Sequence, residues 1–374
     1  MAKGAYAGAG GVARKVVRGY AGAGGVARKV VKAYAGVGGV ARPFWAGGKK
    51  IVLYGPIEPL TYARSNMAGV SIGNYMLFAG GHDGTNYSAV VDAYSSSLVH
   101  SAAPSLSVSM ASGHAAAPIG NYALIGGGWS SATTINGVVN AYDASLVRTS
   151  PFSISARGCK AASNSNYAIF SFGPNKNSFY SRLDAYDKNL VHSSFNANFG
   201  TEQSTVDGGG TAGEYVIFSA FSIGYAYGLN FTQTIVYGVY VGQNRITDTV
   251  ATRDHAMFFT RAGQSPSWSV RAYAIDANLA GTEFFPAFPY VSKIYSAKIG
   301  EFGMLLGGND SGSTPAYSYW ADDNLLFCEG PAPSVQRSAP TGANIENYAL
   351  FAGGAVTNTA SKKTNAVEAF MLSA

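Results

Sequence analysis

The chain has 374 residues, of which only 12% are charged, with 47 glycines, 24 tyrosines and a formal net charge of +6. No apolar run approaches the roughly 18 residues of a spanning helix, and charges interrupt every apolar stretch near the start, so neither a membrane insertion nor a secretory leader is expected. The two cysteines, Cys159 and Cys328, fall in different repeats and call for no disulfide, which makes a reducing cytoplasm the natural folding compartment.

Residues 1–49 form a first block. Tyr6-Ala7-Gly8-Ala9-Gly10-Gly11-Val12-Ala13-Arg14-Lys15 recurs from Tyr20 and from Tyr34, a period of 14 residues, and the third copy ends Arg42-Pro43-Phe44-Trp45. Gly-Gly between two alternating runs is a tight-turn signal, so the block reads as short hairpins, or as strands that pair with another copy. The alternative is a flexible Gly/Ala linker, which would need neither the strict repeat nor the valines. The block is too small to bury a core and is expected to order on a partner. It holds nine Lys or Arg and no acid, whereas residues 50–374 hold 17 basic and 20 acidic residues. A basic arm suits attachment to an acidic surface; nucleic acid is the weaker choice, because the cations recur at fixed steps among valines and no nucleic-acid module is present. The attachment candidates are Tyr6, Arg14, Lys15, Tyr20, Arg28, Lys29, Tyr34, Arg42 and Trp45. Gly8-x-Gly10-Gly11 is not a dinucleotide fingerprint, since it opens no helix.

The rest of the chain follows a second period. Asn74-Tyr75-Met76-Leu77-Phe78-Ala79-Gly80-Gly81 recurs at Asn121 and Asn166, weakens at Glu214, Asp254 and Glu301, and returns nearly intact at Asn347, at spacings of 47, 45, 48, 40, 47 and 46 residues. Each copy is followed by a phrase such as Val139-Asn140-Ala141-Tyr142-Asp143 and then Leu146-Val147-Arg148. One unit therefore reads as four short strands: a small-residue stretch such as Ser112–Ile119, the Asn-Tyr segment, the Ala-Tyr segment and the Leu-Val segment. Seven copies of a four-stranded unit predict an all-β, seven-bladed propeller over residues 50–374. The last unit lacks a fourth strand, and Lys50-Ile51-Val52-Leu53-Tyr54 is expected to supply it and close the ring.

The di-glycine after an apolar strand, followed by a spaced tyrosine, resembles the kelch family. The pair is present at Gly80-Gly81, Gly127-Gly128, Gly307-Gly308 and Gly353-Gly354, fails in the third to fifth units, and the usual outer-strand tryptophan is replaced by leucine. The arm joined to such blades resembles virion components of bacteriophages and prophages of Gram-positive bacteria, among them tail and fibre proteins. That resemblance implies a location in the virion, other virion proteins as partners of the arm, and a symmetric homo-oligomer.

Chemistry is sparse. The five histidines show no metal-ligand spacing, no carboxylate pair stands out, and no cofactor, metal or catalytic residue is expected. His100 and His192 share a repeat position with Arg148 and read as outer-strand surface residues; Asp143 and Asp187 read as turn residues. The blades differ most between second and third strands. His82, Asp83, Asn86, Tyr87, Trp129, Asn175, Asn177, Tyr180, Trp268, Asn309 and Asp310 are the ligand-binding candidates there, because aromatic rings beside Asn and Asp can stack on sugars and bond their hydroxyls. The leading expectation is a non-enzymatic virion protein that displays a face to a host surface glycan or protein. A purely structural capsid, tail or fibre decoration is the alternative. A polysaccharide-degrading enzyme and a cellular adaptor rank lower.

Overall fold

The computed structural model describes all residues except 1–5, 10–11, 16–18, 24–25, 31, 38–39, 47–49, 112, 132, 155–158, 173–180, 198–205, 221–222, 238–245, 265–266, 285–292, 309–316, 326, 357–361 and 374. The chain divides into two compact units, Met1–Ile51 with Leu372–Ala374, and Val52–Met371.

In the arm the 14-residue repeat becomes three two-stranded antiparallel hairpins: Tyr6–Ala9 with Val12–Lys15, Gly19–Ala23 with Val26–Val30, and Lys32–Val37 with Val40–Ala46. Tyr6 stands opposite Lys15, Tyr20 opposite Lys29 and Tyr34 opposite Pro43, so each copy adopts the same register. The third hairpin slips by one residue between Ala33 and Tyr34. It does so beside Pro43, which has no N–H for a ladder.

Seven four-stranded antiparallel sheets follow, and among the described residues there is no helix. The first holds Ala68–Ile72, Tyr75–Ala79, Val91–Ser95 and His100–Ala103; the second Ala115–Ile119, Tyr122–Gly126, Val139–Asp143 and Arg148–Thr149. The seventh combines Thr341–Ile345, Tyr348–Ala352 and Val367–Ser373 with Lys50–Ile57 as its outer strand, so the ring closes as expected. The first strand of each sheet lies against that of the next, and the seventh against the first. The fold is a seven-bladed β-propeller.

Close approach at the axis explains the small inner residues. A Cβ on Gly69 would stand 2.1 Å from Gly342 O, and one on Gly342 would stand 2.0 Å from Ser296 O. Hydroxyls bridge the same seam: Ser296 Oγ donates to Thr249 O (2.8 Å) and Thr211 Oγ1 to Ser163 O (2.7 Å). The di-glycines serve a related need. Gly80 and Gly81 have φ of 69° and 93°, Gly353 and Gly354 of 63° and 106°, and a side chain on Gly81 would meet Ser65 O at 2.5 Å. The sixth copy differs, because Gly307 and Gly308 stay inside the strand Phe302–Gly308, opposite Ile294 and Lys293.

Between the blades sit apolar clusters built from the second- and third-strand phrases. Fully buried aromatics such as Phe78, Phe170 and Phe351 each contribute about 1.5–3 kcal/mol. The third-strand tyrosines bury their rings and tie down the connection that enters their blade. Tyr94 Oη donates to Glu58 O (2.9 Å), Tyr142 Oη to Pro104 O (2.7 Å), and Tyr186 Oη to Phe152 O.

Three details depart from the expectations of the sequence. The leucine of the Leu-Val phrase is not a strand residue. Leu98, Leu146, Leu190, Leu279 and Leu325 all sit in the turn before the fourth strand, with φ of 56–63°. A left-handed leucine costs about 1–2 kcal/mol, but each of these packs into the cluster shared with the preceding blade. Asp143 and Asp187 do cap these turns: Asp143 Oδ1 accepts from Ser145 N and Val147 N at 2.8 and 2.9 Å. Asp187 Oδ1 does the same for Asn189 N and Val191 N. Second, His100 and His192 are not surface residues. Each side chain is 13% exposed and reaches a fully buried acid, His100 Nε2 to Asp92 Oδ1 at 2.6 Å and His192 Nε2 to Asp184 Oδ1 at 2.8 Å. Third, the first strand of the second blade begins at Ala115, three residues after the expected start.

Asp92 belongs to a buried network that the sequence pattern does not reveal. Arg64, with no exposed surface, donates through Nε to Gly80 O (2.9 Å) and through Nη2 to Phe78 O (3.2 Å) and to Asp92 Oδ2. Asp92 Oδ1 also accepts from Thr61 N (3.0 Å) and from Thr61 Oγ1 (2.5 Å). The seventh blade repeats the arrangement: Arg337 Nη2 donates to Phe351 O (2.8 Å) and Glu368 Oε2 (3.0 Å), and Ser334 N and Oγ donate to Glu368 Oε1. In the second blade Met110 replaces the arginine and Asn140 the acid, and Asn140 Oδ1 accepts from Ser107 N at 2.9 Å. Burial alone would push the Asp92 carboxyl up. The Arg64 charge and the Thr61 bonds together outweigh it and hold the group below the ordinary carboxylate range. Burial lowers Arg337 to about 10, with Glu368 opposing.

Candidate functional site

An antiparallel blade puts its first-to-second and third-to-fourth turns on one side of the ring. The second-to-third loops and the connections from the previous blade lie on the other. The turn side is knitted together. A Cβ on Gly73 would meet Ala144 Cβ at 2.8 Å and one on Gly213 would meet Ala277 Cβ at 2.7 Å, each in the following blade. Ser165 Oγ donates to Glu214 Oε2 (2.6 Å), and Arg253 joins Asp254, Glu301 and Asp323 at 3.1–3.4 Å.

The loop side is framed differently. In three successive blades the residue after the di-glycine forms an isolated antiparallel bridge with a residue further along its loop: His82 with Tyr87, Trp129 with Ile135, and Ala355 with Lys363. The incoming connection anchors each one. Ser65 bridges His82, Ser338 bridges Ala355, and Ala111 N donates to Trp129 O at 2.9 Å. The backbone frame is constant while its side chains change from histidine and tyrosine to tryptophan and isoleucine to alanine and lysine. Ala355 is buried, and the other five are partly exposed.

Of the sequence candidates, His82, Asp83, Asn86 and Tyr87 come together in the loop of the first blade, with Trp129 in the next. Asp83 is a turn-former: its Oδ1 accepts from Thr85 N and Asn86 N, both at 2.7 Å. Those bonds, from Asn86 first and then Thr85, hold its carboxyl below the ordinary range. Asn86 Nδ2 closes the same turn on Asp83 Oδ2 (3.2 Å). His82 Nε2 lies 3.0 Å from Asn66 Nδ2. Its pKa is lowered, by burial first and by the Lys363 charge second, with Asp83 opposing. Lys363 is itself lowered by burial.

Trp268 is a correction. It lies in the strand Ser267–Asp276, opposite Gly263, because the second and third strands of the fifth blade extend to ten residues each and leave no room for the expected loop. Asn175, Asn177, Tyr180, Asn309 and Asp310 lie outside the described residues. Lys363 and Asn66 were missed as site residues. Aligning each loop on its di-glycine, rather than on its own composition, is the signal that would have found Lys363.

Among the described residues no three His, Cys, Asp or Glu side chains gather to hold a metal. The fully buried acids Asp92, Asp184 and Glu368 are each engaged by a cationic or histidine partner. Burial pushes the Cys328 thiol to about 11, which leaves little thiolate at neutral pH.

No family model and no curated protein matches the chain. Among solved structures it is similar to one titled "Structure of YjhT", at 9% identity and a TM-score of 0.48, over 85% of this chain and 99% of that one.

Proposed function

We propose that the chain is a non-enzymatic bacteriophage virion protein, anchored to the particle by its basic arm and presenting the loop side of its propeller to a host surface glycan or protein. One observation carries the reading. A basic arm of three repeated hairpins is joined to a ring in which three successive blades share one loop frame and differ in the side chains it carries. A constant frame with changing side chains is how a binding surface is tuned without altering its support. Three equal hairpins, each too small to be stable alone, suit docking onto other virion proteins and a symmetric oligomer.

The test is a chain that begins at Lys50 and so keeps the ring-closing strand. It is compared with the full chain for incorporation into particles and, as purified protein, for binding to Gram-positive host cells. The truncated chain is expected to bind cells and to be missing from particles. Equal incorporation would overturn the role of the arm. Binding to neither cells nor isolated walls would favour a purely structural decoration, and release of sugar from those walls would favour an enzyme.

A further inference from the structure

Resting on the receptor-binding reading above, we infer that the loop arc of the seventh, first and second blades is a binding site for an acidic saccharide, with His82, Tyr87 and Trp129 as ring-stacking groups and Lys363 as the anchor of a carboxylate or phosphate. The three blades are neighbours around the ring, since the first strand of the seventh lies against that of the first, and the first against the second. In each of them the same two positions are held by the same bridge and fastened by the incoming connection. The backbone therefore offers three equivalent pairs of side-chain positions, which the sequence fills with His82 and Tyr87 in the first blade, Trp129 and Ile135 in the second, and Ala355 and Lys363 in the seventh.

The aromatic side chains and Lys363 are partly exposed, which suits contact with a ligand better than either a packed core or a fully solvated loop. Ala355, small and buried, occupies in the seventh blade the place of His82 and Trp129, so there the frame carries no large side chain beside the lysine. Burial first and the Lys363 charge second lower the His82 pKa, with Asp83 opposing. Asn66 reaches His82 at 3.0 Å from a left-handed backbone (φ 56°), and its amide adds a donor and an acceptor at the rim. Sugars offer apolar C–H faces to aromatic rings, and an acidic substituent would find its counter-charge at Lys363.

The experiment measures binding of the full chain to polygalacturonate, to a phosphomannan and to neutral dextran by calorimetry, with circular dichroism to confirm that each variant is folded. The wild type is expected to bind one or both anionic polymers and not dextran, and the polymer preferred tells whether carboxylate or phosphate is the group recognised. Lys363→Gln and Trp129→Ala should each weaken that binding by about 10-fold or more, and Lys188→Gln, on the turn side, should leave it unchanged. The inference is overturned by equal binding to dextran, by failure to bind either anionic polymer, or by variants that bind like wild type. Undiminished binding of the Lys363→Gln chain to host cells would locate the receptor site elsewhere and leave the receptor reading intact; failure of the wild type to bind cells would remove that reading itself.

Discussion

Asp92→Asn removes one charge from a fully buried pair and leaves the other in place. Arg64 and Asp92 have no exposed side-chain surface, and the arginine fork is otherwise satisfied only by the carbonyls of Gly80, Phe78 and Tyr62. Stranding a buried charge costs about 3–5 kcal/mol. With an unfolding entropy of about 2 cal/mol/K per residue over residues 50–374, the fall in Tm is about 5–7 °C, read by calorimetry. The second blade supplies the control, because there Met110 and Asn140 hold the same two positions without a charge. Arg64→Met combined with Asp92→Asn copies that solution. It should return to within about 2 kcal/mol of wild type, although each single change is severe, since replacing both partners leaves no stranded charge. A single Asp92→Asn that unfolds within about 1 kcal/mol of wild type, or a double variant that falls by the sum of its singles, would refute the reasoning.

Asp92 also sets a pH dependence. Its folded pKa is depressed, so its contribution is complete above the ordinary carboxylate range and disappears as pH falls through the folded value. Wild type should lose more stability than the Arg64→Met, Asp92→Asn chain on acidification below about pH 4, measured by urea midpoints at each pH. At the left-handed turn, Leu146→Gly should cost less than Leu146→Ala, because glycine relieves about 1 kcal/mol of backbone strain that alanine keeps. Thermal melts of the two variants decide the order. Gly342→Ala forces a Cβ to within 2.0 Å of Ser296 O and should cost about 3 kcal/mol or more; a Tm matching wild type would mean that the inner strands can part without loss. Removing residues 1–57 rather than 1–49 deletes the outer strand of the seventh blade, and hydrogen exchange should then show Val367–Ser373 opened while the third blade stays protected.

The sequence alone determined the architecture, because a repeat carries its own evidence. Seven copies of one phrase, the missing fourth strand of the last unit and the spare strand ahead of the first leave few ways to build the molecule, and Lys50–Ile57 does pair in the seventh sheet. Local chemistry was legible where it acts over a few residues, as in the turns capped by Asp143 and Asp187. What needed the tertiary structure acts across distances that period and propensity do not encode. Thr61, Arg64, Asp92 and His100 meet only because a connection folds back over its own blade. A left-handed Leu146 contradicts local preference and is accepted because the cluster between two blades needs its side chain. His82 and Lys363 are 281 positions apart in a ring whose first and seventh blades adjoin, so only ring closure brings them within electrostatic reach. Composition can nominate the aromatic residues of a loop. Which of them share a surface is decided by how the sheets pack around the axis.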